Sequence, residues 1–392
     1  MQWLIFERWT PVWPAVAILA SIIVSRICMF LIFENFNILN DSGVAIKFAG
    51  YPAFLDYVIY KNHTTSAWSE ISRPIEFLFM LLEDWRGAIT WLKDQPLKPG
   101  PVYPMLLSFT GYEDNRYLLA WIYQVASAFL GWHWASWLKD KGAHLSLQII
   151  AASFPALLYF AFLVSTDLLF ACLIATWLSG SRAVLDYKRS AWGWTVVLML
   201  VLILTRPNAL ALLPLMSLLA WQAKSLRAWF VWSVVLGLAG AYMLIYYLPY
   251  YWVHDSNAGV TSYWGILPAD YYKGLWIEWP AFISQPLSWV LFAISKLMYA
   301  VGLRPSYANV DLWLVVLRAL PGLLFLPGLI YVVCAGQRFD RWFVVFFMLP
   351  IFIGASQERY LLALTPILLL WGGRAWENLV LWVRRSRYYA LR

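Results

Sequence analysis

The sequence predicts an all-α polytopic membrane protein, with about ten transmembrane helices and further interfacial helices in a long first external loop. Three observations carry this. First, 62% of the 392 residues are hydrophobic and 13% are charged, whereas soluble domains carry about 25% charged residues. Second, the apolar residues lie in runs of roughly 18–22, the length that crosses a bilayer. Third, many of the 26 tryptophans and 23 tyrosines stand at run ends, as an interfacial belt requires (Trp132, Trp134, Trp137, Trp192, Trp194, Tyr250, Tyr251, Trp252). One membrane-embedded domain over 1–392 is expected, with no soluble domain at either end.

The formal charge of +8 suits cytoplasmic loops facing anionic headgroups. No basic stripe is interleaved with polar surface, so nucleic acid is a poor partner. Cys28, Cys172 and Cys334 fall in apolar runs and read as small core residues.

Taken in order, span 1 covers about 12–33 and reads as an anchor, too long for a cleavable signal. Arg26 lies inside it, either as a functional group or as a partner of Glu34. The segment 34–111 is the first external loop. Residues 41–60 and 72–94 alternate apolar and charged at helical spacing, and such helices lie flat in the interface. A rigid turn, Lys98-Pro99-Gly100-Pro101-Val102-Tyr103-Pro104, follows.

Spans 2, 3 and 4 are expected at 117–138, 145–163 and 168–180, with Ser165-Thr166-Asp167 turning between the last two. A charged loop covers 181–190. Spans 5 and 6, at 191–205 and 207–221, are split by Arg206-Pro207-Asn208, and span 7 covers 228–248. The second external loop, 249–310, is aromatic, and its stretch 287–303 is apolar enough to cross. Span 8 lies at 312–335, and spans 9 and 10 at 342–355 and 360–373, with Ser356-Gln357-Glu358-Arg359 between them. The tail Arg384-Arg385-Ser386-Arg387 is basic.

The basic loops 139–142, 182–189, 222–227 and 337–341 and the tail share one side only if 287–303 does not cross; if it does cross, the last three spans invert. With 287–303 read as re-entrant, both termini are cytoplasmic. Asp41, Lys98, Tyr103, Asp167, Arg206, Asn208, Glu358 and Arg359 then gather on the external face. The cytoplasmic loops are too short to build a nucleotide site.

This charge pattern fits a pocket for an anionic, lipid-linked substrate. Arginines at span ends clamp a phosphate with parallel hydrogen bonds in low dielectric. Arg206 and Arg359 are placed for that, and Lys98 adds a point charge. Asp41 and Asp167, with Glu358 third, are the carboxylates that take a proton from an attacking hydroxyl. Plainer readings stand beside each. Asp41 and Asp167 sit in helix-capping sequences, Arg206 snorkels to headgroups, Glu358 pairs with Arg359, and Lys98 is an ordinary interface lysine. No glycine-rich phosphate loop occurs, and His63, His133, His144 and His254 have no zinc spacing.

Four stretches resemble the GT-C class of integral-membrane glycosyltransferases, similar to its mannosyltransferase and aminoarabinose-transferase-like families. They are Asp41 after span 1 with Gly50-Tyr51 downstream, the run Lys98–Leu107, the hairpin Phe154-Pro155 through Ser165-Thr166-Asp167–Phe170, and Leu204-Thr205-Arg206-Pro207-Asn208-Ala209. Glu358-Arg359-Tyr360 adds a weaker match. The chain departs from the pattern where Ser42-Gly43-Val44-Ala45 replaces aromatics and where Asp167 replaces the commoner Glu; Glu34 is the alternative to Asp41.

The resemblance implies an inverting transfer of sugar from a polyprenyl-phosphate donor to an acceptor hydroxyl on a glycan, lipid or protein. It implies a bacterial inner (plasma) membrane location, with the site facing the periplasm or exterior, and a role in cell-envelope glycan or glycolipid synthesis. Asp41 would act as base or orient the acceptor hydroxyl, and Arg206, Arg359 and Lys98 would stabilise the leaving phosphate. Tyr103, Asn208 and Tyr360 join the substrate-binding set. A divalent cation, magnesium or manganese, is the one cofactor left open, held jointly by Asp41 and Asp167. The competing readings are a transporter or flippase of lipid-linked sugars and a polysaccharide polymerase or ligase.

Overall fold

A computed structural model describes residues 12–35, 116–162, 166–186, 191–224, 226–242, 319–353 and 358–390, with a few isolated positions between them. Apart from the short connections between helices, these residues are helical, with one short antiparallel ladder, β1 (Ile38–Leu39) against β2 (Ala45–Ile46). The ladder replaces helix at two positions of the interfacial stretch expected over 41–60. Asp41, Lys98 and Tyr103 lie outside the described residues, as does most of both long loops.

The helices are α1 (Val12–Asn35), α2 (Arg116–Asp140), α3 (Leu145–Ala152), α4 (Pro155–Phe162), α5 (Thr166–Leu185) and α6 (Ala191–Thr205). They continue as α7 (Leu213–Ala223), α8 (Leu226–Tyr242), α9 (Gly322–Ala335), α10 (Arg338–Ile353) and α11 (Thr365–Ala390). Two 3-10 segments, Pro207–Leu212 and Glu358–Leu364, lead into α7 and α11.

Proline chemistry explains where the structure departs from the expected runs. The run 145–163 is broken into α3 and α4, because Pro155 has no N–H to return to Ala151 and its ring clashes with that carbonyl. Ser153 closes the end of α3, its N–H and hydroxyl both donating to Ile149 O, at 3.0 and 2.7 Å. Pro207 opens the expected span 207–221 as a tighter 3-10 turn, after α6 has ended at Thr205 as expected. At the other extreme, α11 runs through the basic stretch expected as tail, because Trp376–Arg387 holds no helix breaker.

α5 is the axis of the fold. It packs on α6, α7, α2 and the second 3-10 segment, and fully buries Trp177. Phe170 faces Phe347 at 6.2 Å, while Trp177 faces Phe343 and Phe339 at 6.1 and 6.5 Å. This order makes α10 antiparallel to α5. α9 and α11 meet backbone to backbone: a Cβ on Gly328 would collide with Leu368 O, and one on Gly372 with Leu324 O. Only glycine permits so close an approach.

Among the described residues, α5 is long and apolar enough to cross a membrane, and the apolar stretches of other helices, such as Trp13–Met29 of α1, run to 10–17 residues. Large apolar side chains nonetheless stand on the outside of the bundle, among them Trp13, Val24, Trp121, Phe129, Trp221, Phe230 and Trp382. Arg26, in the middle of α1, donates from Nη2 to Ser127 Oγ of α2 at 2.8 Å and from Nη1 to Ile22 O at 3.0 Å. The expected pairing with Glu34 falls on a side chain outside the described residues.

Candidate functional site

The site begins with two breaks in apolar sequence. Thr166-Asp167 opens α5, and a carboxylate in a first turn is favoured by the positive end of the helix dipole. Arg206 sits between α6 and Pro207. A residue before proline is driven to extended geometry, and Arg206 has φ −146° and ψ 120°. Its N–H still closes the last turn of α6 on Leu202 O at 2.8 Å. The extended step aims the side chain out of α6 and across to α5.

There Arg206 Nη2 meets Asp167 Oδ1 at 2.6 Å and donates to Thr166 Oγ1 at 2.8 Å. The guanidinium carbon lies 5.7 Å from the Phe170 ring centre, one helical turn along α5. The side chains are 2% exposed for Asp167 and 14% for Arg206. The Asp167 contact is an ion pair by distance, but its angle is too poor for a directed hydrogen bond, so Oδ1 has a counter-charge without a donor. Thr166 supplies the directed bond. Asn208, in the 3-10 turn after Arg206, is half-buried.

The structure thus joins Asp167 and Arg206, which come from the tips of different hairpins. Glu358, Arg359 and Tyr360 open the 3-10 segment that packs on α5, but their side chains are outside the described residues. Thr166 and Phe170 were not singled out by sequence reasoning. The signal was available: 166 and 170 are four apart on the helix whose first turn carries Asp167, so they share its face.

The arrangement holds a cation rigidly at the mouth of an apolar bundle. Such a group stabilises negative charge without reorganising when the charge develops. Oδ1 of Asp167 is taken by the guanidinium, and Asp41, the other carboxylate expected to share a divalent cation with it, lies outside the described residues.

A second polar cluster lies at the opposite end of α5. Arg182 Nη2 donates to Asp340 Oδ1 at 3.2 Å, and Trp371 Nε1 donates to Asp340 Oδ2 at 3.3 Å. The Arg182 guanidinium stacks on Trp137 at 4.5 Å. Arg374 stacks on Trp371 at 4.7 Å and donates to Lys141 O at 3.3 Å. No family model matches this chain, and no curated protein or solved structure matches it either.

Proposed function

We propose that the chain is a multi-pass membrane glycosyltransferase that moves a sugar from a polyprenyl-phosphate-linked donor to an acceptor hydroxyl at the membrane face carrying Asp167 and Arg206. The observation that carries the reading is their meeting: an arginine from the α6 break, fixed by Thr166 and Asp167, at the end of an apolar helix long enough to span a bilayer. The apolar outer surface supports a lipid environment, since water-facing surfaces seldom carry so many large apolar side chains together.

In this reading Arg206 neutralises the leaving polyprenyl phosphate as the glycosidic bond breaks. Asp167, expected as a second catalytic carboxylate, is already against a guanidinium and serves as the positioning residue for Arg206. Asp41 takes the proton of the attacking hydroxyl, and Lys98, Arg359, Tyr103, Asn208 and Tyr360 complete the donor pocket.

Transfer of labelled sugar from a polyprenyl-phosphate donor by purified protein tests this. Wild type turns over, Asp41→Asn loses transfer while retaining donor, and Arg206→Lys loses both donor affinity and rate. Donor binding without turnover in the wild type would give the transporter reading precedence.

A further inference from the structure

α11 outlasts the bundle it belongs to. Its residues are buried through Gly373, half-buried at Arg374 and Ala375, and exposed from Trp376 to Arg384. Where it leaves, Arg374 donates to Lys141 O in the turn that ends α2. That turn carries Lys139 and Lys141 against Asp140. Trp376 still reaches α9, its indole N–H donating to Leu323 O at 2.8 Å, and Asn378 Nδ2 donates to the Tyr331 hydroxyl.

The exposed stretch has two faces. Trp376, Leu379, Val380 and Val383 stand at i, i+3, i+4 and i+7, which makes one stripe of a helix. They are 42, 46, 46 and 36% exposed. Arg374, Glu377, Asn378 and Arg384 take the opposite side, with Leu381 among them. Charge says what the stripe rests on. Over 374–392 the sequence holds five arginines (Arg374, Arg384, Arg385, Arg387, Arg392) against the single acid Glu377, a net of +4. A second copy would bring these arginines against its own, and like charges repel. An anionic headgroup layer attracts them. An apolar stripe with tryptophan on one side and arginine on the other is the composition that lies in the headgroup boundary.

We propose that the second half of α11 is a docking helix for the surface of an anionic bilayer. Trp376, Leu379, Val380 and Val383 sink into the boundary between headgroups and acyl chains, Leu381 and Glu377 face water, and Arg384 with the basic sequence after it meets acidic lipid. The proposal rests on the membrane reading above. It concerns the end of the bundle remote from Asp167, since Arg374 meets the turn at Lys141. It requires α11 beyond Arg374 to lie along the surface, which a residue-by-residue depth measurement reads directly.

The test uses the full chain in nanodiscs. Cys28→Ala and Cys334→Ala remove the exposed thiols. Leu379→Cys, Val383→Cys, Glu377→Cys and Leu381→Cys, made one at a time, then carry an environment-sensitive nitrobenzoxadiazole label. In discs containing phosphatidylglycerol the labels at 379 and 383 should shift to the blue, while those at 377 and 381 stay at the aqueous wavelength. Position 381 separates a face from mere hydrophobicity. In pure phosphatidylcholine the shift should be smaller, and high salt should erase the difference between the two lipids. Arg384→Gln should cut the ratio of seated to unseated helix about fivefold. Equal emission at all four positions, or a shift indifferent to phosphatidylglycerol, overturns the proposal. A shift that follows the number of protein copies per disc assigns the stripe to a second copy and overturns it too. Carbonate extraction tests the parent reading separately: a protein released by carbonate, whose labels at 379 and 383 still shift on added phosphatidylglycerol vesicles, would sink the membrane reading and not the docking helix.

Discussion

The two ends of α5 carry the same chemistry in different states of satisfaction. At one end Asp340 is bonded through both oxygens, to Arg182 and to Trp371, and joins α5, α10 and α11. At the other, Asp167 Oδ1 has a counter-charge without a directed bond, and the arginine facing it comes from a broken segment, not a regular helix. A carboxylate bonded through both oxygens to two other helices is a brace. At the proline-set kink the contact with Asp167 Oδ1 is ionic and the arginine's directed bond goes to Thr166. Sequence reading singled out Asp167 and Arg206 and passed over Arg182 and Asp340 as loop charges.

The contrast is sharpest in activity. Arg206→Lys keeps the charge but loses the fork that reaches Thr166 and Asp167 together, so transfer should fall about 100-fold, with thermal stability nearly unchanged. Normal turnover in that variant would make the Arg206 end a brace as well. Asp340→Asn should behave oppositely, losing about 3 kcal/mol because the Arg182 charge is left buried and uncompensated. Unfolding in detergent measures this, and the fraction that stays folded should turn over normally.

Between these extremes stands packing. Phe343→Ala removes a fully buried ring that faces Trp177 and Phe347, and should cost about 3 kcal/mol in unfolding while the folded fraction keeps its transfer activity. Smallest is Thr166→Val, which deletes one hydrogen bond worth about 1.5 kcal/mol. Its transfer rate should drop roughly tenfold by that conversion, mainly in kcat, and Thr166→Ser should restore it.

Much of the fold was legible because charged residues interrupt apolar runs at the turns. Thr166-Asp167 and Arg206-Pro207-Asn208 marked hairpin tips, and both stand at helix boundaries. Local signals were underused in two places: Ser153-Phe154-Pro155 already spelled a break inside the run 145–163, and the arginines after Trp382 suggested a tail where helix propensity favoured continuation. The ion pair at Asp167 could be anticipated only as shared location on one face; that Arg206 reaches it follows from the extended geometry before Pro207. The Arg182–Asp340 and Arg26–Ser127 contacts join residues 158 and 101 positions apart, and no local pattern announces such partners.

The glycine seam between α9 and α11 has a consequence for how the molecule is made. Gly328 and Gly372 are each other's neighbours in space, yet the ribosome delivers the second about 44 residues after the first, some 2–9 seconds later at ordinary translation speed. Until then α9 presents a bare strip of backbone with nothing fitted to it. Assembly of this half of the bundle is therefore timed by the arrival of α11, and a chain stalled or cut before Gly372 leaves α9 as the exposed element that quality-control proteases meet first.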